Sequence, residues 1–498
     1  MKGRQSALGN GTILEKPNII LIVIDTLRRD AVGIYSGNNR TPNIDLLAAD
    51  GVVYPNAITP YSWTVPSHLS LFTGKYLEKM GLREENLSSP NNVRAAISQV
   101  RIPFMAEKLS SMGYDTIGFS ANELVSPNTG FDRGFRYFLR QHYVEHWDPL
   151  LEAELSTVRK KYLGSNFQIA WELVRKGKVF ELMRLFGLGR ARKRYISNSQ
   201  FPEKKGASRI VELVSNASFE KPFFLFLNLM EVHEPYKSTF GRDEVYLGLM
   251  GLLHCKKISQ WTLSRIRRDY QGEIEIVDRY LGALFSDLKR RGVYGDTLII
   301  LTSDHGQSLG EHGFLGHGTF LFDELLRVPL IVKYPHGAKP PLTDGYQSTI
   351  DVYDFVSKAA SMDPAMSFPS RELAYASSCG LNPFWKDAYA AISERYSTSV
   401  PDFMTASKRF FAKRTALFHS GYKAIAGREP PLEELTLDGV KLDAEDTELG
   451  ERLRTKIIQF EESLKMDVAG EFDVDKSRTA TADDEEVINE RLRLLGYT

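Results

Sequence analysis

The chain has 498 residues, 42% of them hydrophobic and 25% charged, with 63 basic side chains against 63 acidic ones. That length exceeds one ordinary core and predicts a large domain plus a smaller one, while a net charge of zero removes the global field on which nucleic-acid binding relies. Two widely separated cysteines, Cys255 and Cys379, supply no disulfide framework and make a reducing, cytoplasmic compartment the default.

The first sixteen residues are polar. Ile19–Ile24 is the first apolar run and stops at Asp25. It is too short for a secretion signal or a membrane span, which needs about 20 apolar residues. A short, continuous apolar run is the pattern of a strand buried on both faces of a parallel sheet. Asp115–Ser120, Phe223–Leu229, Thr297–Leu301 and Val328–Lys333 read the same way. Helical stretches lie between them: Phe104–Met112 ends before Gly113, and Ile274–Arg291 ends before Gly292. This alternation predicts an α/β fold, a mostly parallel sheet sandwiched by helices.

Around 335–344 the texture turns rich in Pro and Gly. We place a boundary there, between a catalytic α/β domain over 14–340 and a smaller α+β C-terminal domain over 341–465. The strand candidates of the latter are Arg414–His419 and Tyr422–Ile425. Residues 466–498 form a charged tail with a short terminal helix, Glu485–Leu495. Arg175–Arg194 holds eight basic residues and one acidic one, interleaved with apolar residues. It reads as a solvated helix packed by its apolar side, or as a peripheral contact with an anionic surface.

Three segments carry chemistry. Asp25 stands at the end of the first strand, where functional groups of α/β sheets gather; alone, such an Asp is as often a helix cap. Thr64, in Ser62-Trp63-Thr64-Val65-Pro66-Ser67-His68, lies at or near the start of a helix that Gly74 ends. Backbone N–H groups there favour negative charge, and a divalent cation could hold its hydroxyl as an alkoxide; an ordinary N-cap is the plain alternative. Thr297–Leu301 then leads into Asp304-His305, one hard oxygen and one imidazole of a divalent metal site.

These segments together resemble the sulfatase-like family of the alkaline phosphatase superfamily. Lys16 to Asp25 resembles its opening strand, and Arg40-Thr41-Pro42-Asn43-Ile44-Asp45-Leu46-Leu47 its TPNxDxLA signature. Trp63 to Gly74 resembles the nucleophile motif. Asp304-His305-Gly306, His317-Gly318 and Leu326 to Pro329 resemble the second metal strand and its sequel. Met230 to Tyr236 is similar to the family's HxPY segment, and Arg414 to Ile425 to its small C-terminal domain. The resemblance implies that Asp25, Thr64, Asp304 and His305 hold one divalent metal ion (Mn, Zn, Mg or Ca). It implies Thr64, His68, His233 and His317 as catalytic residues, and Asn122, His233 and His317 as substrate-binding residues. The substrate class it implies is an anionic ester of a glycan, a lipid headgroup or a small molecule.

Three positions depart from the main sulfatase pattern. Thr64 replaces the Cys or Ser that becomes formylglycine, Thr26 replaces the second Asp of the first strand, and His68 replaces the motif Arg. The changes resemble the threonine-nucleophile branches, nucleotide pyrophosphatases and lipid-headgroup phosphotransferases. Attack by an alkoxide on phosphorus gives a phospho-enzyme that water or an alcohol resolves. A sulfo-threonine would have no hemiacetal route to expel sulfate. The expectation is a metal-dependent hydrolase or phosphotransferase cleaving phosphate or sulfate esters through Thr64. The alternatives are a sulfuric ester hydrolase proper and a non-catalytic anion-binding descendant.

Overall fold

The computed structural model of the protein describes residues 16–140, 205–236 and 244–465, apart from positions 39, 254, 256, 343, 364–365, 401–402, 405–407, 409–410, 428–431 and 443–447. The basic segment 175–194 and the tail 466–498 with its expected helix lie outside the described residues.

The principal elements of the larger unit are β1 (Asn18–Ile24), α1 (Pro42–Asp50), β2 (Val52–Val53), α2 (Thr64–Thr73), α3 (Met105–Ser111), β3 (Asp115–Ser120), β4 (Tyr137–Arg140), α4 (Ala207–Asn216), β5 (Phe223–Leu229), α5 (Gln260–Arg290), β6 (Thr297–Thr302), β7 (Leu330–Lys333) and α6 (Val352–Ala360). Seven strands make one sheet in the order β2-β7-β6-β1-β5-β3-β4. β1 runs parallel to β5 and β6, and β3 runs parallel to β5 and β4. The central strand β1 is apolar throughout its core because both faces are covered: Ile19 to Ile24 are all fully buried, each worth about 1.5–3 kcal/mol of transfer free energy. β7 corrects the reading of Val328–Lys333 as a parallel strand. It begins at Leu330 and runs antiparallel to β6 and β2. All four of its residues are buried, so its apolar run reflects burial and not strand direction.

Helices cover the sheet. α5 packs on α4 and α1, and α6 packs on α2 and α3, placing Phe355, Val356 and Ala359 in the main core. The TPNxD signature is scaffold. Asp278 of α5 accepts the Asn43 and Ile44 N–H groups at 3.1 and 2.8 Å, capping α1. Thr41 Oγ1 accepts the Gly33 N–H, and Asp45 accepts the Ile34 N–H.

The smaller unit is an antiparallel sheet of β8 (Leu373–Ser378), β9 (Arg414–His419), β10 (Tyr422–Ala426), β11 (Glu434–Leu437) and β12 (Val440–Lys441), with α7 (Glu448–Lys465) against β9 and β10. Among the described residues, no helix is long and apolar enough to cross a membrane.

Candidate active site

The parallel register brings four chain exits to one edge. Ile24 lies opposite Leu229, Val23 opposite Thr302, and Ser120 opposite Asn228. Asp25, Ser303–His305, Met230–His233 and Asn122 therefore leave neighbouring strands at their carboxyl ends, where α/β sheets place ligands.

Asp25, Asp304 and His305 are buried, with ligand atoms that all lie within 4.8 Å of one another. Each carboxylate has one tethered oxygen. Asp25 Oδ2 accepts from Asn122 Nδ2 at 2.7 Å. Asp304 Oδ1 accepts the N–H groups of His305 at 2.9 Å and Thr26 at 3.3 Å. Thr26 adopts φ 59° to make that turn, a conformation costly for a β-branched residue. The other oxygens, Asp25 Oδ1 and Asp304 Oδ2, are buried with no hydrogen-bond partner among the described residues. His305 donates Nδ1–H to the Gly306 carbonyl at 2.8 Å, which leaves Nε2 as the acceptor edge. That Nε2 lies 3.4 Å from Asp304 Oδ2, 3.8 Å from Asp25 Oδ1 and 3.4 Å from Thr64 Oγ1.

Burial, followed by the neighbouring Asp304, pushes the Asp25 carboxyl up to about 7. Burial pushes Asp304 up to about 7 as well. Two desolvated carboxylates aimed at each other and at an imidazole lone pair are costly without a cation, and this donor set suits a divalent ion.

Thr64 is the first residue of α2. The N-cap position is held by Trp63, whose side chain makes no cap bond, and Thr64 stands one position inside it. The helix ends at Gly74, whose φ of 68° is the left-handed geometry that glycine accepts at no cost. His68, one turn on, is a supporting residue. Its Nδ1 lies 2.9 Å from the Thr64 carbonyl and its Nε2 lies 3.1 Å from Asn228 Nδ2. Phe72, Phe131 and Phe226 surround the ring, and burial pushes its pKa down to about 3. Asn122 supports in the same way: its amide is engaged by Asp25 and by the Leu124 N–H.

His233 and His317 face each other beside this centre, with rings 5.1 Å apart; His317 lies 4.5 Å from the His305 ring. Together with Glu234 they make a second buried group with metal-ligand types. The hydrogen bonds give that group another job. His233 Nδ1 meets the Glu234 carbonyl at 2.7 Å, and His317 Nδ1 meets Gln307 Oε1 at 2.8 Å. Gln307 Nε2 in turn donates to Glu234 Oε2 at 2.7 Å. Both imidazoles are thereby fixed in one tautomer, with Nε2 as the acceptor edge. Burial lowers the pKa of both, His233 to about 4, so both rings are neutral at pH 7. Behind His233, the fully buried Lys205 donates to the carbonyls of Glu231 at 3.0 Å and His233 at 2.6 Å.

Glu234, Gln307 and Lys205 were not singled out by the sequence. Glu234 sits within the His233 motif and Gln307 directly follows Asp304-His305-Gly306, and a polar residue in or beside a motif was a usable signal. Lys205 stands in no motif and offered none.

Residues 17–362 match the sulfatase family model. The chain belongs to the sulfatase family. This sulfatase-family protein is 26% identical over 381 residues to N-acetylglucosamine-6-O-sulfatase of Bacteroides thetaiotaomicron, covering 65% of the chain and 64% of that relative. It is 25% identical over 394 residues to the multifunctional alkaline phosphatase superfamily protein PehA of Trinickia caryophylli, covering 68% and 73% of the two chains. Among solved structures, a 2-O GAG sulfatase matches with TM-score 0.60 at 14% identity over 93% of this chain and 95% of that one. Phosphonate monoester hydrolase of Agrobacterium radiobacter matches with TM-score 0.56 at 18% identity over 90% and 95%. These structures share the fold: a large, mostly parallel sheet flanked by helices and a separate antiparallel sheet. The protein is an ester hydrolase of the alkaline phosphatase superfamily.

Proposed function

We propose that this hydrolase cleaves anionic esters with Thr64 as the attacking group, beside one divalent cation held by Asp25, Asp304, His305 and Thr64. The observation that carries this reading is the pair of partnerless carboxylate oxygens, Asp25 Oδ1 and Asp304 Oδ2, gathered with His305 Nε2, itself 3.4 Å from the Thr64 hydroxyl. Two carboxylates, one imidazole and one hydroxyl suit Mn²⁺, Zn²⁺ or Mg²⁺. When bound, the cation lowers the pKa of the threonine hydroxyl and offsets charge on the ester.

The residues of the chain divide the remaining work. Thr64 Oγ1 forms a bond to phosphorus or sulfur as the bond to the leaving alkoxide breaks. The α2 N-terminus offers backbone N–H groups to the anion. His233 and His317, fixed by Glu234 and Gln307 with Nε2 as the acceptor edge, are the imidazoles placed to take up the proton that the Thr64 hydroxyl loses and to return it to the departing alkoxide. Asn122 and His68 hold Asp25 and the start of α2 in place.

Phosphoryl esters suit a threonine better than sulfuryl esters, because water in line with the phospho-threonine can reverse its formation, whereas a sulfo-threonine lacks the hemiacetal route. Sulfate esters are the second reading, favoured by sulfatase relatives such as the arylsulfatase of Clostridium perfringens. Rates with 4-nitrophenyl phosphate, 4-nitrophenyl sulfate and a phenylphosphonate monoester, measured with Mn²⁺, Zn²⁺ or Mg²⁺ and after metal removal, test both. Cation-dependent turnover of a phosphorus ester above the sulfate ester is expected. Turnover that survives complete metal removal contradicts the proposal.

A further inference from the structure

The segment after β8 reaches the site beside His317 and Trp63. After β8 the chain turns at Asn382, which is fully buried. The Asn382 Oδ1 accepts the Phe384 N–H at 3.0 Å. A backbone N–H can face only the oxygen, so the amide orientation is fixed and Nδ2 is the outward donor. That Nδ2 has no hydrogen-bond partner among the described residues. It lies 2.5 Å from where a β-carbon on Gly318 would stand, and Trp63 Cβ lies 3.1 Å from the same point. Gly318 follows His317 directly, and Trp63 precedes Thr64 directly. The donor therefore sits one residue from both the candidate nucleophile and a site imidazole.

Neighbouring atoms repeat the pattern. Ser62 Oγ, Thr319 Oγ1 and Ser377 Oγ are also buried without hydrogen-bond partners among the described residues. Their segments are tied together by the Ser377 N–H to the Pro60 carbonyl at 2.9 Å and by Ser378 Oγ to the Thr319 carbonyl at 2.9 Å. A buried donor left unmatched is costly, and a ligand oxygen in the site would remove that cost.

We infer that Asn382 is a substrate-binding residue, its Nδ2 donating to a non-bridging oxygen of the bound phosphoryl or sulfuryl group. This rests on the ester-hydrolase reading above and adds that the small antiparallel unit completes the anion site. A hydrogen bond to a charged acceptor is worth roughly tenfold to a hundredfold in binding.

Asn382→Asp retains the cap, because a carboxylate oxygen still accepts the Phe384 N–H, but it replaces the donor with an acceptor. Asn382→Ser is the backup if the aspartate variant does not fold. For either, the metal content and melting temperature are measured first. Then the KM for 4-nitrophenyl phosphate and 4-nitrophenyl sulfate and the inhibition constants of inorganic phosphate and sulfate are compared with wild type. The KM and both inhibition constants rising together by at least about tenfold, with a smaller change in kcat, is the expected result. Unchanged inhibition constants in a folded, metal-loaded variant overturn the inference. If the wild type hydrolyses neither ester, calorimetric binding of inorganic phosphate and sulfate reads the same contact. Tighter binding by wild type than by Asn382→Asp then upholds Asn382 while hydrolysis fails, and equal binding overturns Asn382.

Discussion

Thr64→Ala separates nucleophile from scaffold more sharply than any other single change. Thr64 is fully buried at the start of α2, one position inside the N-cap residue Trp63. The substitution leaves the N-cap residue in place, and the lost methyl and hydroxyl cost about 1–2 kcal/mol, an ordinary value for trimming a buried side chain. Asp25, Asp304 and His305 remain to hold the cation. Activity should respond on another scale, because losing a covalent nucleophile lowers kcat by about 10³-fold or more. Thr64→Ser retains the hydroxyl, loses one methyl worth about 0.8 kcal/mol, and should keep part of the rate. The assay pairs thermal melting and metal content with initial rates at saturating ester. A folded, metal-loaded Thr64→Ala enzyme with more than about a tenth of wild-type kcat would refute the role of Thr64.

Three further outcomes follow from the structure. Chelation should abolish turnover and lower the melting temperature, and a cation restored to 100 times its dissociation constant should return about 2.7 kcal/mol; a melting curve indifferent to metal would count against the site. Burial pushes the Glu84 carboxyl, which accepts from Trp63 Nε1 at 2.7 Å, up to about 8. An acid with a raised folded-state pKa makes stability fall as pH climbs from its unfolded value through the folded one, so Glu84→Gln should flatten that loss between about pH 5 and 8, as read by urea melts; an unchanged slope would clear Glu84 of it. Asp278→Ala strands the Asn43 and Ile44 N–H groups and should cost about 2–3 kcal/mol with kcat unchanged; equal loss of kcat in the folded variant would mean that the signature does more than hold α1.

Much of this was legible in the sequence where burial alone decides the pattern. β1, β5 and β6 are nearly continuous apolar runs because both faces are covered. α5 was legible only from Ile274 onward. Its first half carries Arg267, Arg268, Asp269 and Gly272, which break the apolar rhythm, although Leu263, Ile266 and Tyr270 on the same half are buried. β8, Leu373–Ser378, has small residues at four of its six positions and gave no strand signal. Asp25, Thr64, Asp304 and His305 were readable because each follows a strand or opens a helix inside a motif. The roles of Asn122 and His68 as supports depend on what their amide and ring nitrogens meet, and Asn382 acquires meaning only once the turn after β8 packs on Gly318. Contacts across such distances leave no periodicity in the chain.

The most direct measurement is the mass of the peptide containing Thr64 after acid quenching of enzyme mixed briefly with 4-nitrophenyl phosphate or 4-nitrophenyl sulfate. The account requires a phosphoryl adduct on Thr64 in the cation-loaded wild type, absent from metal-free enzyme and from Thr64→Ala. Full turnover with an unmodified Thr64 at every quench time, and with Thr64→Ala as active as wild type, would contradict it.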